Sequence, residues 1–176
     1  EEVVSEMNKD ILRLQMITER FSKIGSQPEL KNQDVITIVK RSFYYMKDRS
    51  SSKIDFKLEV SEKTVLSSLN TQLFGWVIEN IMRNAIDALQ GKGEIKVAIK
   101  EHSKNVIIDI SDNGKGIKSS QLKTVFEPGY TTKLRGWGLG LSLVKRIVED
   151  YHKGQVYILH SELGKGSTFR ISLLKS

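Results

Sequence analysis

The sequence predicts an α+β fold, a two-layer sandwich of helices on a sheet. Apolar residues recur at helical spacing in several stretches, and between them lie segments in which apolar and polar residues alternate as in half-buried strands. Glycine-containing turns join the later strands in pairs, which is typical of antiparallel hairpins. The 176 residues are enough for one domain of ordinary size and a small appendage.

Composition narrows the class of protein. The chain has no cysteine, so disulfides and thiolate metal sites are excluded and a reducing compartment fits. The net charge is +7, from 28 basic and 21 acidic residues, which raises the prospect of polyanionic partners such as nucleotide phosphates. The basic residues are scattered, however, and form no stripe with interleaved aromatics, so nucleic-acid binding ranks last among the functions considered. No apolar run reaches the ~18 residues that would span a bilayer.

The first 27 residues are predicted to form a separate helical unit. Their apolar residues follow a near-heptad stripe, which predicts a helix that packs against other helices. Gly25 is placed to end this helix, and Pro28 breaks the linker that follows. We therefore expect residues 1–27 to be part of a helical unit and residues 28–176 to form the main domain. The acidic, amphipathic start without an initiator methionine predicts a fragment of a longer protein, for which a membrane anchor stays open.

The remaining elements follow in order. A helix is expected to about Lys47, then strands in "KIDFKLEV" and "TVLSS", then a long helix over Thr71–Leu89. The segments "EIKVAIK" and "NVIIDIS" predict a hairpin, and a short helix is expected around residues 119–125. A further helix in "LGLSLVKRIVEDYH" precedes a closing hairpin of "GQVYILHS" and "GSTFRISLL".

The long helix has an unusual polar face. Asn80, Arg83, Asn84 and Asp87 fall within about 100° of arc, opposite the apolar side chains. A solvated surface explains such a face for many helices, but asparagine is a poor helix former because its side chain competes with the backbone. Two asparagines four residues apart can instead ligate one hard cation through their carbonyl oxygens, and Mg²⁺ commonly shares its remaining ligands with phosphates and water.

Three glycine clusters follow this helix: "DNGKGI" at residues 112–117, "GWGLGL" at 136–141 and "GKGST" at 164–168. Backbone N–H groups of a glycine-rich helix start can receive phosphates. The spacing matches neither a P-loop nor the dinucleotide fingerprint, and the kinase motifs H-R-D and D-F-G are absent. Each cluster alone is better explained by a turn or a cap, so their order along the chain carries the information.

That order resembles the ATP-binding catalytic domain of bacterial sensor histidine kinases, in the superfamily that also holds gyrase, a heat-shock chaperone and mismatch-repair ATPases. "WVIENIMRNAIDAL" is similar to the N box of that family, "DNGKGI" to the G1 box, "VFEPGYTTK" to the F box, "GWGLGLSL" to the G2 box and "GKGSTF" to the G3 box. "PGYTTK" is most similar to the nitrogen-regulation class. Residues 7–25 resemble the second helix of the dimerisation and phosphotransfer hairpin. The resemblance implies a Bergerat-type fold, with a mixed sheet covered on one face by helices and an additional N-terminal helix.

The resemblance also implies roles for individual residues. Asp112 would accept a hydrogen bond from the adenine amino group, Ile117 would pack on the base, and Thr168 would support the base. Gly114 and Gly116 would let the chain pass close to the base, where a Cβ would collide. The segment from Tyr130 to Trp137 would form a lid over the ATP. The remaining nucleotide contacts would come from the N box, this lid and the G2 box: Asn80 and Asn84 as ligands of Mg²⁺, Arg83 and Lys133 against the phosphates, and Asp87, Tyr130, Thr131, Thr132, Gly138, Leu139, Gly140 and Leu141.

The family resemblance further predicts transfer of a phosphoryl group rather than hydrolysis of ATP. Members that hydrolyse ATP carry a glutamate where this chain has Asn80, and the nearby Glu79 lies about 100° around the helix. The family's acceptor is a histidine followed by an acidic residue on an upstream helix. His102, His152 and His160 occupy no such position, so each is expected to be a surface or structural histidine. We therefore expect the chain to bind ATP and Mg²⁺ without phosphorylating itself.

The implied partners are ATP or ADP, the histidine-bearing helix of the parent chain, and a response regulator. The parent is expected to be a homodimer in the cytoplasm, with an anchor in the inner membrane left open. A regulatory module that holds nucleotide without transferring phosphate is the alternative function. Trp137 stands where the family has a small residue, and the sequence assigns it no role.

Overall fold

The computed structural model describes residues 28–60, 63–132 and 138–176. The predicted N-terminal helix, and with it the unit assigned to residues 1–27, lies outside the described residues. The helices are α1 (Val35–Lys47), α2 (Thr71–Leu89) and α3 (Gly140–Arg146). The strands are β1 (Lys31–Asp34), β2 (Ile54–Glu59), β3 (Leu66–Leu69), β4 (Gly93–Glu101), β5 (Asn105–Asp112), β6 (Gln155–Glu162) and β7 (Gly166–Leu174).

The described strands form two sheets. The five-stranded sheet has the order β2-β4-β5-β7-β6, and β1 pairs with β3 in a small two-stranded sheet. Within the larger sheet β2 runs parallel to β4, whereas the other neighbours are antiparallel, as expected for the two predicted hairpins. The sheet is therefore mixed, which confirms the predicted fold class.

One face of the large sheet makes the core with the helices. On β5, Val106, Ile108 and Ile110 are buried, while the residues between them are half-buried on the other face. The apolar side of α2, which includes Phe74, Ile78, Ile81 and Met82, has no exposed surface. On the outer face Arg170 of β7 and Asp109 of β5 form a two-point ion pair, with N–O distances of 2.7 and 2.8 Å.

The first strand and helix are joined by an aspartate. The Asp34 carboxylate ends β1 and accepts hydrogen bonds from the backbone N–H groups of Ile36 and Thr37, which are otherwise unpaired donors in the first turn of α1. The same carboxylate accepts from the backbone N–H of Val65, just before β3. One side chain therefore caps α1 and holds it to the small sheet.

The structure differs from the sequence predictions in three places. Strand β1 was not predicted, because "KNQD" has no apolar alternation and its pairing with β3 is a long-range contact. The expected short helix at 119–125 consists of two 3₁₀ turns, Ser119–Gln121 and Thr124–Phe126. The helix expected in "LGLSLVKRIVEDYH" is α-helical only to Arg146 and continues as a π-helical segment, Ile147–Tyr151.

Among the described residues, no helix combines the length and the apolar character needed to cross a membrane.

Candidate functional site

The loop that follows β5, residues 112–117, contains the first predicted site residues and is called the G1 loop below. Asp112 is its first residue, and one carboxylate oxygen accepts a hydrogen bond of 2.8 Å from the backbone N–H of Gly114. Burial raises the pKa of Asp112 above its ordinary value, and hydrogen bonds from the backbone N–H groups of Gly114 and Ser167 offset part of that shift. The loop thus begins with a largely desolvated carboxylate at the end of a central strand.

The next residue fastens the loop to the sheet. The Asn113 side-chain oxygen accepts a hydrogen bond of 2.8 Å from the Glu94 backbone N–H, and the Asn113 backbone N–H donates to the Glu94 carbonyl at 3.3 Å. Lys115 then donates its backbone N–H to the Ala88 carbonyl near the end of α2. The G1 loop is therefore held from β4 on one side and from α2 on the other.

The two glycines of this loop are required by the protein's own backbone. A Cβ on Gly114 would lie 2.6 Å from the carbonyl carbon and oxygen of Ala88. Gly116 has a φ of +69°, and a Cβ there would lie 2.1 Å from the Glu162 carbonyl oxygen. Contacts within the chain therefore exclude a side chain at both positions, whether or not a base lies beside them, and the predicted close approach to a base stays a prediction.

The turn between β6 and β7, residues 162–167, is called the G3 turn, and it interlocks with the G1 loop. Gly164 donates its backbone N–H to the Lys115 carbonyl at 2.9 Å. A Cβ on Gly166 would lie 1.9 Å from the Asp112 carbonyl oxygen. The two glycine clusters, whose contacting residues Lys115 and Gly164 are 49 positions apart in sequence, therefore form one compact unit around Asp112.

The side chain of Thr168 lies on the outer face of the large sheet. Its hydroxyl is 2.9 Å from the Ser111 hydroxyl, and both residues alternate with the buried residues of their strands, so they lie on the outer face. Ser167 is the residue that pairs with Asp112 across β5 and β7, and it is buried. Ser167 therefore lies on the same face of the sheet as Asp112, and Thr168 lies on the opposite face, because the two-residue period of a strand turns neighbouring side chains to opposite faces. Support of the base by Thr168 stays a prediction.

The amide face of α2 lies at the other end of the site. The Asn80 side-chain N–H₂ donates to the Trp76 carbonyl at 3.0 Å, so its oxygen is left facing the start of α3, where a Cβ on Gly140 would lie 3.1 Å away. Asn84 is half-buried one turn further along α2, and Arg83 and Asp87 are exposed beside it. Asn80 and Ala88 are separated along the helix by about 12 Å, at 1.5 Å per residue. The site therefore extends from the G1 loop at one end of α2 to the amide side chains nearer its middle.

The segment predicted to be the lid is closed at its base by two glycines. The Gly129 backbone N–H donates to the Gly138 carbonyl at 3.0 Å. Gly138 has a φ of +65°, and a Cβ there would lie 2.3 Å from the carbonyl carbon of Gly129. The Tyr130 hydroxyl is buried and has no hydrogen-bond partner among the described residues, whereas Thr131 and Thr132 are exposed. Lys133 and Trp137 lie outside the described residues.

Near the G2 box, Gly138, Leu139, Gly140 and Leu141 are half-buried at the start of α3. The histidines conform to their predicted roles. His102 and His160 are exposed, and His152 is buried, with its Nε2 accepting from the Asn70 backbone N–H at 3.1 Å.

Sequence reasoning missed two serines. Ser167 could have been found only from the register of β5 and β7. Ser161 on β6 is bonded to both the G1 loop and the G3 turn, and nothing in its local sequence signals this.

The comparisons with known proteins agree with this arrangement. A family model described as Histidine kinase-, DNA gyrase B-, and HSP90-like ATPase matches residues 70–176. The chain belongs to this family. It therefore carries an ATP-binding domain, and the matched residues include α2, the G1 loop, the start of α3 and the G3 turn.

Curated relatives include sensor histidine kinases. ZraS of Escherichia coli strain K12 is 32% identical over 170 residues, which are 95% of this chain and 36% of ZraS. Nitrogen regulation protein NtrY of Azorhizobium caulinodans is 27% identical over 166 residues, 89% of this chain and 21% of NtrY. The chain thus spans about a third or less of the length of these relatives. The predicted resemblance to sensor histidine kinases is confirmed.

Solved structures share the fold. Full-length ShkA in complex with AMPPNP gives a TM-score of 0.81 at 23% identity, over 97% of this chain and 37% of that chain. Histidine kinase ThkA in complex with response regulator protein TrrA gives 0.78 at 22% identity, over 96% and 49%. The catalytic domain of ThkA gives 0.75 at 24% identity, over 84% and 96%.

Proposed function

We propose that this chain is the ATP-binding catalytic domain of a two-component sensor histidine kinase. In this proposal it holds Mg-ATP and positions the γ-phosphate for transfer to a histidine on an upstream helix of the parent protein. The observation that carries the proposal is the half-buried Asp112 carboxylate, held between the G1 loop and the G3 turn at one end of α2, with two asparagine amides further along the same helix.

The base would be bound at the G1 end. A carboxylate accepts hydrogen bonds and donates none, so Asp112 would select the exocyclic amino group of adenine over the carbonyl of guanine. Ile117, half-buried beside it, would pack on the ring. Ser167, which pairs with Asp112 across β5 and β7, has its hydroxyl on the same face of the sheet. These groups are already fixed by backbone contacts, so little ordering would be needed on binding.

The residues present fit a magnesium-bound phosphate chain at the other end. Because the Asn80 N–H₂ group is bonded to Trp76, the amide oxygen is the atom left to face a cation. Asn80 and Asn84 would hold Mg²⁺, which supplies charge neutralisation of the phosphates when bound. Arg83 and Lys133 would add positive charge, and backbone N–H groups of residues 138–141 would contact phosphate oxygens. Asp87, Tyr130, Thr131 and Thr132 would border the same space.

The chemistry would be positioning and charge stabilisation of phosphoryl transfer. Asn80 is an amide and cannot take a proton from water, so the site lacks the base that a hydrolase needs at that position. A nucleotide-binding regulatory module with no transfer activity is the second candidate. Such a module would bind the nucleotide in the same site but would not transfer its phosphoryl group.

The partners follow from the likeness to ThkA, whose structure was solved with a response regulator. We propose that the parent protein passes its phosphate to a response regulator, acts as a homodimer, and places this domain in the cytoplasm, where ATP is available. Residues 1–27 would be part of the dimerisation and phosphotransfer unit.

Calorimetry with Mg-ATP, Mg-ADP and Mg-GTP tests the binding half of the proposal. We expect binding of both adenine nucleotides and a clear preference over Mg-GTP. No binding of any nucleotide, or equal affinity for ATP and GTP, would contradict it.

Incubation of the parent protein with γ-labelled Mg-ATP tests the transfer half. A label that is stable to base and labile to acid identifies phosphohistidine and favours the kinase. Tight binding without label favours the regulatory module.

A further inference from the structure

Ser161 lies on β6 and contacts both glycine-rich segments of the site. Its hydroxyl oxygen is 2.8 Å from the Ile117 backbone nitrogen in the G1 loop. The same oxygen is 2.8 Å from the Ser167 hydroxyl and 3.2 Å from the Gly166 carbonyl in the G3 turn. It is also 3.5 Å from the Ile117 carbonyl. One half-buried side chain thus bridges two segments that are far apart in sequence.

The number of hydrogen bonds a hydroxyl can make restricts how this bridge works. A serine hydroxyl has one proton and two lone pairs. Ile117 offers an N–H, so Ser161 accepts there. Its single proton then goes to the Gly166 carbonyl, to the Ser167 hydroxyl or to the more distant Ile117 carbonyl. When the proton goes to a carbonyl, the second lone pair is left to accept from Ser167. Ser161 therefore holds the Ile117 backbone in place and restricts the direction in which the Ser167 hydroxyl can donate.

Both restrained residues are at the base-binding end. Ile117 is the residue that would pack on the ring, and Ser167 pairs with Asp112, which would read the amino group. A shift of the Ile117 backbone relative to Ser167 changes the gap into which the base must fit. Within the described part of the chain, the hydrogen bonds of Ser161 go to Ile117, Gly166 and Ser167 and not to the amide face of α2 or the start of α3.

We infer that Ser161 is a positioning residue that sets the selectivity of this site for adenine. It acts through Ile117 and Ser167 and has no part in holding the phosphates. This inference rests on the proposed function, because it assumes that a nucleotide base binds beside Asp112.

The test compares dissociation constants for Mg-ATP and Mg-GTP in the 176-residue chain and its Ser161→Ala variant. Loss of one hydrogen-bonded bridge should weaken ATP binding roughly tenfold, while GTP binding, which depends on the phosphate contacts, changes by less than about twofold. The ratio of the two affinities should therefore fall. Ser161→Thr keeps a hydroxyl and should restore the ratio.

Ser111→Ala is the matched control. It removes a hydroxyl pair of 2.9 Å between β5 and β7, on the opposite face of the same sheet. This variant should leave both affinities unchanged. If Ser161→Ala does not fold, Ser161→Cys takes its place, because a thiol fills the same space and hydrogen-bonds weakly; it should lower the ratio as Ala would.

Three results would overturn the inference. Equal weakening of ATP and GTP binding in Ser161→Ala would mean a general structural role. Failure of Ser161→Thr to restore the ratio would mean that the hydroxyl is not what matters. An unaltered chain that binds neither nucleotide would refute the proposed function itself, and the inference would fall with it.

Discussion

At the scale of single residues, glycines with similar backbone angles differ in what surrounds them. Gly116 and Gly164 have φ values of +69° and +75°. A Cβ on Gly116 would lie 2.1 Å from the Glu162 carbonyl oxygen, whereas a Cβ on Gly164 would have no atom of the described residues, other than its chain neighbours, within 4 Å. An alanine at Gly164 would therefore incur only the free-energy cost of a left-handed backbone, whereas an alanine at Gly116 would also incur the cost of a steric collision.

We expect Gly164→Ala to lower the free energy of unfolding by about 1 kcal/mol, the usual cost of a left-handed non-glycine residue. Gly116→Ala should cost roughly 2 kcal/mol more, because backbone atoms must also move. Urea unfolding of the two variants measures the difference. Equal losses of free energy of unfolding in the two variants would show that the G1 loop can move to accommodate a Cβ at Gly116 at little cost.

We expect the ionised Asp112 carboxylate to destabilise the folded state and to contribute to the binding of ATP. Burial raises its pKa, so the folded state favours the protonated carboxyl, and its contribution to stability is present at low pH and lost as pH rises through the folded-state pKa. At neutral pH Asp112→Asn should therefore leave the free energy of unfolding unchanged or raise it. The same change should weaken Mg-ATP binding roughly tenfold or more, since an amide is a poorer acceptor for the adenine amino group.

Unfolding and calorimetry on the same Asp112→Asn preparation measure both effects. In the unaltered chain, ATP affinity should also fall as the solution is acidified through the raised pKa of Asp112. Unchanged ATP preference in the variant would contradict the base-reading role.

At the scale of elements, His152 joins the end of one helix to the start of another. Its Nε2 accepts from the Asn70 backbone N–H just before α2, so its proton is on Nδ1, which donates to the Ile147 carbonyl at 2.8 Å. Burial lowers the pKa of His152, and the bond to Ile147 offsets part of that shift. A neutral imidazole is therefore part of the helix junction.

Because the folded-state pKa is lowered, the contribution of His152 to stability is present above the unfolded-state pKa of about 6.5 and is lost as pH falls below it. We expect the free energy of unfolding to decrease with acidification in this range. His152→Gln should flatten that dependence, and the exposed His160→Gln should keep it. Unfolding curves at several pH values measure this dependence. An unaltered dependence of the free energy of unfolding on pH in His152→Gln would rule out His152 as its source.

At the scale of the whole molecule, nucleotide binding is linked to folding. A ligand that binds only the folded state stabilises it by about 2.7 kcal/mol at a hundred times its dissociation constant. Mg-ATP should therefore raise the melting temperature of the chain, and chelation of magnesium should remove part of that rise. Asn84→Ala should abolish the magnesium-dependent part and keep the fold.

Glu79→Gln is the control on the same helix, because Glu79 is the neighbouring acid that has no assigned metal role. It should leave the magnesium-dependent rise in melting temperature unchanged. Full retention of the rise in Asn84→Ala would count against amide ligation.

Much of the fold could be predicted from local patterns. The bounds of α1 and α2 follow from apolar residues at helical spacing, and the two hairpins follow from alternation around glycine turns. Strand β1 and the π-helical end after α3 could not be predicted this way. Pairing of "KNQD" with β3 depends on a partner more than 30 residues away. The π-helical segment is followed directly by His152, whose imidazole accepts a hydrogen bond from the distant Asn70 backbone.

In the candidate site, too, some features could be predicted from the sequence and others could not. Its motifs, their order and the amide face of α2 are properties of the sequence, because residue type and spacing determine which groups a helix or a glycine-rich turn can present. Only the tertiary structure decided three other features of the site. These are the hydroxyl residue that pairs with Asp112, the contacts that exclude a side chain at Gly114 and Gly116, and the bridge made by Ser161. These depend on strand register and on approach between distant backbone segments, and a shift of one residue in register would turn every side chain of a strand to the other face.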